Sequence, residues 1–407
     1  MKLGIVTNWN HSGAGEVGKL FAEYFISNGH SVSIYARPEP GRRLNIDDTD
    51  FKGRLEVYFG KATPNPTVKS LDSRDFNSWL NNGSFDVIVF NEQHSFLEVE
   101  RVKKKGIKTA AYVDYYREDT IDFFAIYDLL ICVTRRHFSV FSWHQGAKYI
   151  PWGIRPSIFT NAICTREFDF FHSCGNDPYR KGTDILVKSL IPLTNTRTLI
   201  HTQTDLFKSI PSVSEELASL IEAGRLTVIQ EDIAPPGLYG QGKIYAYPAR
   251  LDGLGLTICE ALASGLPVVT TDNGPMNEFL SPQVGVTVPI SKSWSRSDGY
   301  YWPLVEVAAE DFSMALNQTL VNYNKGLLQS VDCVSYINQN RNLEKNFREL
   351  NSSITKLEFN DTLNDSLTYR IKTSPSSKFL IRYRFVYGIL FRLKRLRYFF
   401  SPRKKDV

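Results

Sequence analysis

Twice along this chain, short apolar runs that suit buried strands alternate with stretches of helical period, and that alternation leaves few folds open. Strands separated by helices pair in parallel, and the helices cover both faces of the sheet. Over about the first 150 residues the apolar runs are LGIVT, VSIYA, DVIVF, KTAAYV and DLLICV. Helical patterns run between them. EVGKLFAEYFISNG stops at Gly29 and RRHFSVFSWHQG at Gly146, each glycine a natural residue just past a helix end. YIPWGIRPSIF then breaks the pattern with two prolines and a glycine, as a hinge between domains does.

A second series follows. FDFFHSCG, TRTLIHT, LTVIQ, KIYAYP and PVVTTD read as strands and KGTDILVKSLIPL as a helix; from about Glu310 the pattern is helical, and it ends in KFLIRYRFVYGILFRLKRLRYFF. At 407 residues the chain is too long for one core and suits two such units. The expected class is α/β, with one Rossmann-like doubly wound domain over 1–155 and a second over 156–350. Residues 351–407 read as a polar linker and a basic, aromatic helical tail.

Five cysteines (Cys132, Cys164, Cys174, Cys259 and Cys333) lie far apart, with no CxxC pair, so neither a disulfide framework nor a zinc site is expected. The start, MKLGIVTNWN, enters a strand directly, and no run of about 18 uncharged apolar residues follows. A cytoplasmic protein is the expectation. The net charge of +5 is unevenly placed, because from Arg370 onward twelve Lys or Arg stand against one Asp.

In LDGLGLTICEALASGLPVVTTDNG, residues 251–274, two carboxylates flank a glycine-rich turn that leads into a helix. Gly253 and Gly255 remove side chains where the backbone meets a ligand, and the amides of a helix start attract phosphate or hydroxyl groups. Glu260, one turn in, reaches the same space, so Asp252 and Glu260 can hold hydroxyls at two ends of one elongated ligand. The competing reading is local: Thr257 and Glu260 fit a capping box, and Asp-Gly is an ordinary turn. Local rules leave both open.

The longer stretch YPARLDGLGLTICEALASGLPVVTTDNGPMNEF resembles the donor-site signature of family 4 glycosyltransferases, retaining enzymes of the GT-B fold. GNDPYRKGTDILVKSL resembles that family's basic segment, IPWGIRPSIF its interdomain turn, and NWNHSGAGEVGKLFAEYF its N-terminal glycine-rich loop. The resemblance implies two domains facing across a cleft, the first binding acceptor and the second a nucleotide sugar, UDP- or GDP-linked. It assigns Glu260 to the ribose, Asp252 to the transferred sugar, and the backbone from Gly253 through Leu254, Gly255 and Leu256 to Thr257 to sugar and phosphates. Lys181 matches the lysine on the diphosphate, where positive charge favours the departing nucleotide. Two departures stand out: Asp252 replaces a Glu, and Asn176 replaces an arginine. Arg180 either supplies that charge or is a solvated surface residue.

Gly15 enters the site only through the resemblance, since GxG without the full G-x-G-x-x-G is common after strands. His94, in NEQHSF after DVIVF, stands at a strand end where an imidazole can bond a hydroxyl, and is a candidate catalytic residue beside Lys181 and Asp252. No cluster has metal-ligand spacing, so no essential metal is expected. The implied activity is retaining transfer to a glycan or lipid-linked acceptor in cell-surface polysaccharide or glycoconjugate synthesis. The alternatives are a GT-B sugar-phosphate enzyme, an epimerase or phosphorylase, or a non-catalytic membrane-surface protein. Residues 378–405 mix arginines with eight aromatics, which suits peripheral attachment to an anionic membrane surface. A final helix packed on the N-terminal domain is the other reading, and nucleic acid is not an expected partner.

Overall fold

The computed structural model describes residues 1–10, 13–37, 53–61, 71–91, 96–160, 164–361 and 365–373. His94 and the basic tail 378–405 lie outside them. The chain divides into two compact units, one of Met1–Cys132, Phe141–Lys148 and the residues from Glu349 on, the other of Val133–Val140 and Tyr149–Arg348. The short helix Arg135–Phe141 thus has most of its residues in the second unit, within the segment read as the first domain.

The first unit is built on β1 (Lys2–Thr7), β2 (Ser31–Ala36), β3 (Leu55–Phe59), β4 (Val87–Asn91), β5 (Lys108–Val113), β6 (Leu129–Cys132) and β7 (Ala147–Tyr149). Their order in the sheet is β3-β2-β1-β4-β5-β6-β7, and the pairs from β3 to β6 are parallel. β4 and β6 are buried at every position, as strands covered on both faces must be. β3 and β7 escape the sequence reading because they are short and half-exposed edge strands with no strong apolar run.

The helix Gly13–Ser27 crosses β1 closely. A Cβ on Gly18 would lie 2.6 Å from the Thr7 hydroxyl, and one on Gly15 would lie 1.8 Å from the Asn10 carbonyl oxygen. Both glycines therefore serve close packing in the first turns of this helix. The helix ends before Gly29, whose φ of +85 closes it as the sequence predicts.

The second unit has β8 (Phe168–Gly175), β9 (Thr198–Thr202), β10 (Leu226–Gln230), β11 (Gly242–Tyr247), β12 (Val268–Thr271) and β13 (Gly285–Val288). Its order is β10-β9-β8-β11-β12-β13, every pair parallel. β8 occupies the very residues of FDFFHSCG. The order reverses between β8 and β11, so the loops leaving the carboxyl ends of these two neighbours diverge and leave a crevice, where open α/β sheets bind ligands. Arg180, Lys181 and the stretch from Asp252 to Gly255 lie on those two loops, and Leu256, Thr257 and Glu260 on the helix that the second loop opens. An antiparallel hairpin, β14 (Lys292–Trp294) with β15 (Leu304–Glu306), follows β13 and was not foreseen.

Candidate active site

After β8 the chain turns through Asn176 to Gly182 and enters the helix Thr183–Leu190. Asp177 shapes this turn by accepting bonds from the Arg180 amide and from Arg180 Nε, each at 3.1 Å. Gly182 closes it with φ +73, and a Cβ there would lie 1.9 Å from the Pro248 carbonyl oxygen. Only glycine permits both the conformation and the approach. The Lys181 turn is thereby pressed against the loop that follows β11.

That second loop runs from Pro248 to Gly255 and opens the helix Leu256–Ala263. Gly255, at φ +72, precedes the helix without a side-chain cap, and a Cβ on it would lie 2.7 Å from the Phe279 ring. The capping box does not form: Thr257 lies inside the helix, and the Glu260 carboxylate is held by the Tyr239 hydroxyl at 2.5 Å. Gly253 has open space about its Cα, but its amide is turned onto the Asp252 Oδ1 at 2.8 Å. Leu254 is buried, while Leu256 and Thr257 are partly exposed at the helix start.

Lys181, Arg180 and Asp252 meet where the two loops touch. Lys181 Nζ donates to Asp252 Oδ2 at 2.8 Å and also to the Tyr247 hydroxyl, which itself bonds Oδ2. Arg180 Nη1 donates to the Leu251 carbonyl at 3.0 Å and lies 3.9 Å from Asp252 Oδ1. The Arg180 side chain is thus tied to the loop that bears Asp252 while staying 30% exposed. Burial alone would raise the Asp252 carboxyl, yet the Lys181 and Arg180 charges and the two bonds outweigh it and hold the group far below the usual carboxylate range. Lys181 itself is lowered, because burial outweighs the help it receives from Asp252. Burial also raises Glu260, against the Tyr239 bond and the Lys181 charge.

Three tyrosines link the carboxylates. Tyr245 and Tyr247, two residues apart on β11, stack at 5.3 Å, and Tyr239 packs against Tyr245 at 5.7 Å. Tyr247 bonds Asp252 and Tyr239 bonds Glu260, so the two ends of the stack hold the two acids. Sequence reasoning passed over these tyrosines. A tyrosine at the end of β11 was a visible signal for Tyr247, whereas Tyr239 meets Glu260 only through the fold. His137 was also missed: wholly buried, it lies against the Gly253 backbone, and burial with the Arg136 charge pushes its imidazole down to about 3. Glu278, within the quoted signature, caps the helix Arg135–Phe141 by accepting the Arg135 and Arg136 amides at 2.6 and 2.8 Å. Gly15 belongs to the first unit. Among the described residues no group of three His, Cys, Asp or Glu side chains is placed to hold a metal ion, and no helix is long and apolar enough to cross a membrane.

Residues 170–295, which carry both loops, match the family described as Glycosyl transferases group 1. This stretch is a group 1 glycosyltransferase domain. A lipopolysaccharide core biosynthesis mannosyltransferase, LpsB of Rhizobium meliloti (strain 1021), is 32% identical over 113 residues, which is 26% of this chain and 32% of that protein. The match thus spans about a third of that relative's length. Among solved structures, a glycosyltransferase from Rickettsia africae aligns with a TM-score of 0.69 at 16% identity, over 88% of this chain and 99% of its own. Anabaena HepE, solved with UDP and glucose, aligns with a TM-score of 0.65 at 13% identity, over 88% of this chain and 100% of its own. The fold is GT-B, as the sequence resemblance implies.

Proposed function

We propose that the protein is a retaining glycosyltransferase that moves a sugar from a nucleoside diphosphate donor to a glycan or lipid-linked acceptor. The observation that carries this reading is the placement of Glu260 and Lys181 at the carboxyl edge of one Rossmann-like sheet. Glu260, one turn into its helix and fixed by Tyr239 through Oε2, keeps Oε1 for a ribose hydroxyl. Lys181 is a largely but not fully buried cation on the adjoining loop, suited to a diphosphate whose negative charge grows as the sugar leaves. The chemistry of the group 1 family, and UDP and glucose in a protein of the same fold, favour a nucleotide sugar as donor, UDP- or GDP-linked.

Neither thiol near the described site suits an enzymic nucleophile. The nearby thiols of Cys174 and Cys259 are buried and raised, Cys259 to about 12, which keeps both protonated. Attack by the acceptor on the face from which the phosphate departs accounts for retention without a nucleophile, the phosphate taking the acceptor's proton. The partial likeness to a lipopolysaccharide core enzyme favours a cell-surface glycan as product. Peripheral membrane attachment through 378–405 belongs to the same reading, and co-sedimentation with anionic liposomes at low salt tests it; a protein that stays in the supernatant removes it.

The first experiment is a thermal-shift screen against UDP, GDP, ADP, CMP and NAD, repeated with Glu260→Ala. Stabilisation by one nucleoside diphosphate, reduced in the variant, is the expected result. A response to NAD alone, or to none of the diphosphates, overturns the reading. Release of free nucleotide only when an acceptor is present argues against the epimerase or phosphorylase alternative.

A further inference from the structure

The two acids of the site differ in how much bonding capacity they have left. A carboxylate oxygen accepts about two hydrogen bonds. Asp252 Oδ2 takes Lys181 Nζ and the Tyr247 hydroxyl, and Oδ1 takes the Gly253 amide and faces Arg180 at 3.9 Å. Glu260 accepts from Tyr239 through Oε2, and its Oε1 has no hydrogen bond among the described residues. Asp252 thus uses about three of its four acceptor positions, and Glu260 one of four.

We infer that Asp252 anchors Lys181 instead of gripping the transferred sugar, and that Tyr247 is the positioning residue that locks this pair. The inference rests on the reading above only where it has Lys181 meet a diphosphate. Tyr247 donates its single proton to Asp252 and accepts one from Lys181, so the three groups form a closed triangle. Two of the three ammonium protons are thereby used, and the third remains for a ligand. The Tyr247 ring is wholly buried and stacked on Tyr245, which fixes its hydroxyl. The missing methylene fits this role, since the short Asp252 side chain keeps its carboxylate against the Gly253 amide and the Lys181 turn.

The geometry also bears on charge. Lys181 is surrounded by Asp177 and Arg180 on its own turn, His172 and Cys174 on β8, Tyr247 on β11, Asp252 on the next loop and Glu260 on the helix. Of these, Asp252 supplies the largest support for the charged ammonium, against burial. Without it the ammonium loses its proton at lower pH.

The test follows Lys181 by 13C NMR of ε-labelled lysine in the free protein, its signal assigned by loss in Lys181→Arg. Asp252→Asn is expected to lower the titration midpoint by about one pH unit or more, equivalent to about tenfold in UDP affinity on the alkaline side. Tyr247→Phe is expected to shift it the same way by less, and serves where Asp252→Asn does not fold. Calorimetry with UDP and UDP-glucose completes the test: the ratio of the two affinities stays as in the wild type in Asp252→Asn. An unmoved Lys181 titration, or an Asp252→Asn protein that binds UDP normally and loses only its preference for the sugar nucleotide, overturns the inference. A shifted titration in a protein that binds none of UDP, GDP, ADP and CMP supports the anchor and removes the nucleotide reading, so the two failures are distinct.

Discussion

Arg250 grips Asp184 with both ends of its guanidinium, at 2.6 and 2.8 Å, and the pair is almost fully buried. Arg250 also bonds Glu306 at 2.8 Å and the Tyr179 carbonyl at 2.7 Å, while its amide donates to the Arg180 carbonyl at 2.9 Å. It therefore ties the loop bearing Asp252 to the turn bearing Lys181 and to β15. Arg250 holds the site together without touching it.

Removing one partner of such a pair leaves a buried charge without compensation. Arg250→Met is expected to lower unfolding stability by about 3–5 kcal/mol, and Asp184→Asn by less, because the amide keeps one acceptor. Urea unfolding measures both. A loss under 1 kcal/mol for Arg250→Met would show that the loops are held by apolar packing and not by this arginine.

Gly182 sets the separation of the same two loops. Alanine there combines a left-handed backbone with a contact that no Cβ tolerates, 1.9 Å from the Pro248 oxygen, so one loop must move. Gly182→Ala is expected to cost about 1–3 kcal/mol of stability and to abolish nucleotide binding, since Lys181 and Asp252 part. Equilibrium unfolding and calorimetry with UDP check the two effects separately. Binding that survives intact would mean that the loops are not required to touch.

Most strands of both sheets, and the two stretches that meet at the candidate site, were legible in the sequence because their signals are local. Apolar runs marked β1, β2, β4 and β8, and the spacing of Asp252, Gly255 and Glu260 marked the turn and helix. What was hidden depends on contacts between distant segments. Nothing near Tyr239 announces that its hydroxyl meets Glu260 21 residues on, or that His137 reaches Gly253 from another helix. Thr257 and Glu260 illustrate the limit from the other side, since a true capping-box spacing was overridden when Gly255 took the position before the helix.

The pH dependence of stability should carry the mark of His172. Its imidazole is buried between the Ala246 carbonyl, at 2.7 Å, and the Thr183 hydroxyl, at 2.9 Å, and burial pushes it down to about 4 from 6.5. Between those values the unfolded chain binds the extra proton and the folded one does not, so stability rises with pH across that window. Acidification from pH 6.5 toward 4 is expected to remove about 1.4 kcal/mol per unit from this group, and His137 acts in the same direction. Thermal unfolding between pH 4 and 7 measures the slope. His172→Gln, which cannot take up the proton, should flatten it; an unchanged slope would place the acid sensitivity elsewhere.

Tyr239 offers the sharpest test of how Glu260 is used. Its hydroxyl gives the one hydrogen bond that the Glu260 carboxylate accepts among the described residues, and its ring is packed against Tyr245 and, at 5.1 Å, Phe171. Tyr239→Phe keeps the packing and frees the carboxylate to rotate, so the acid must be ordered anew each time a ribose binds. A loss of about three- to tenfold in UDP affinity is expected, in line with the 0.5–1.5 kcal/mol typical of one hydrogen bond. Glu260→Gln should cost more, because hydrogen bonds to a charged acceptor are worth roughly twice as much. In the double variant Tyr239→Phe should add nothing further, since the tyrosine acts only through Glu260. Additive losses would mean that Tyr239 supports the nucleotide by a separate route.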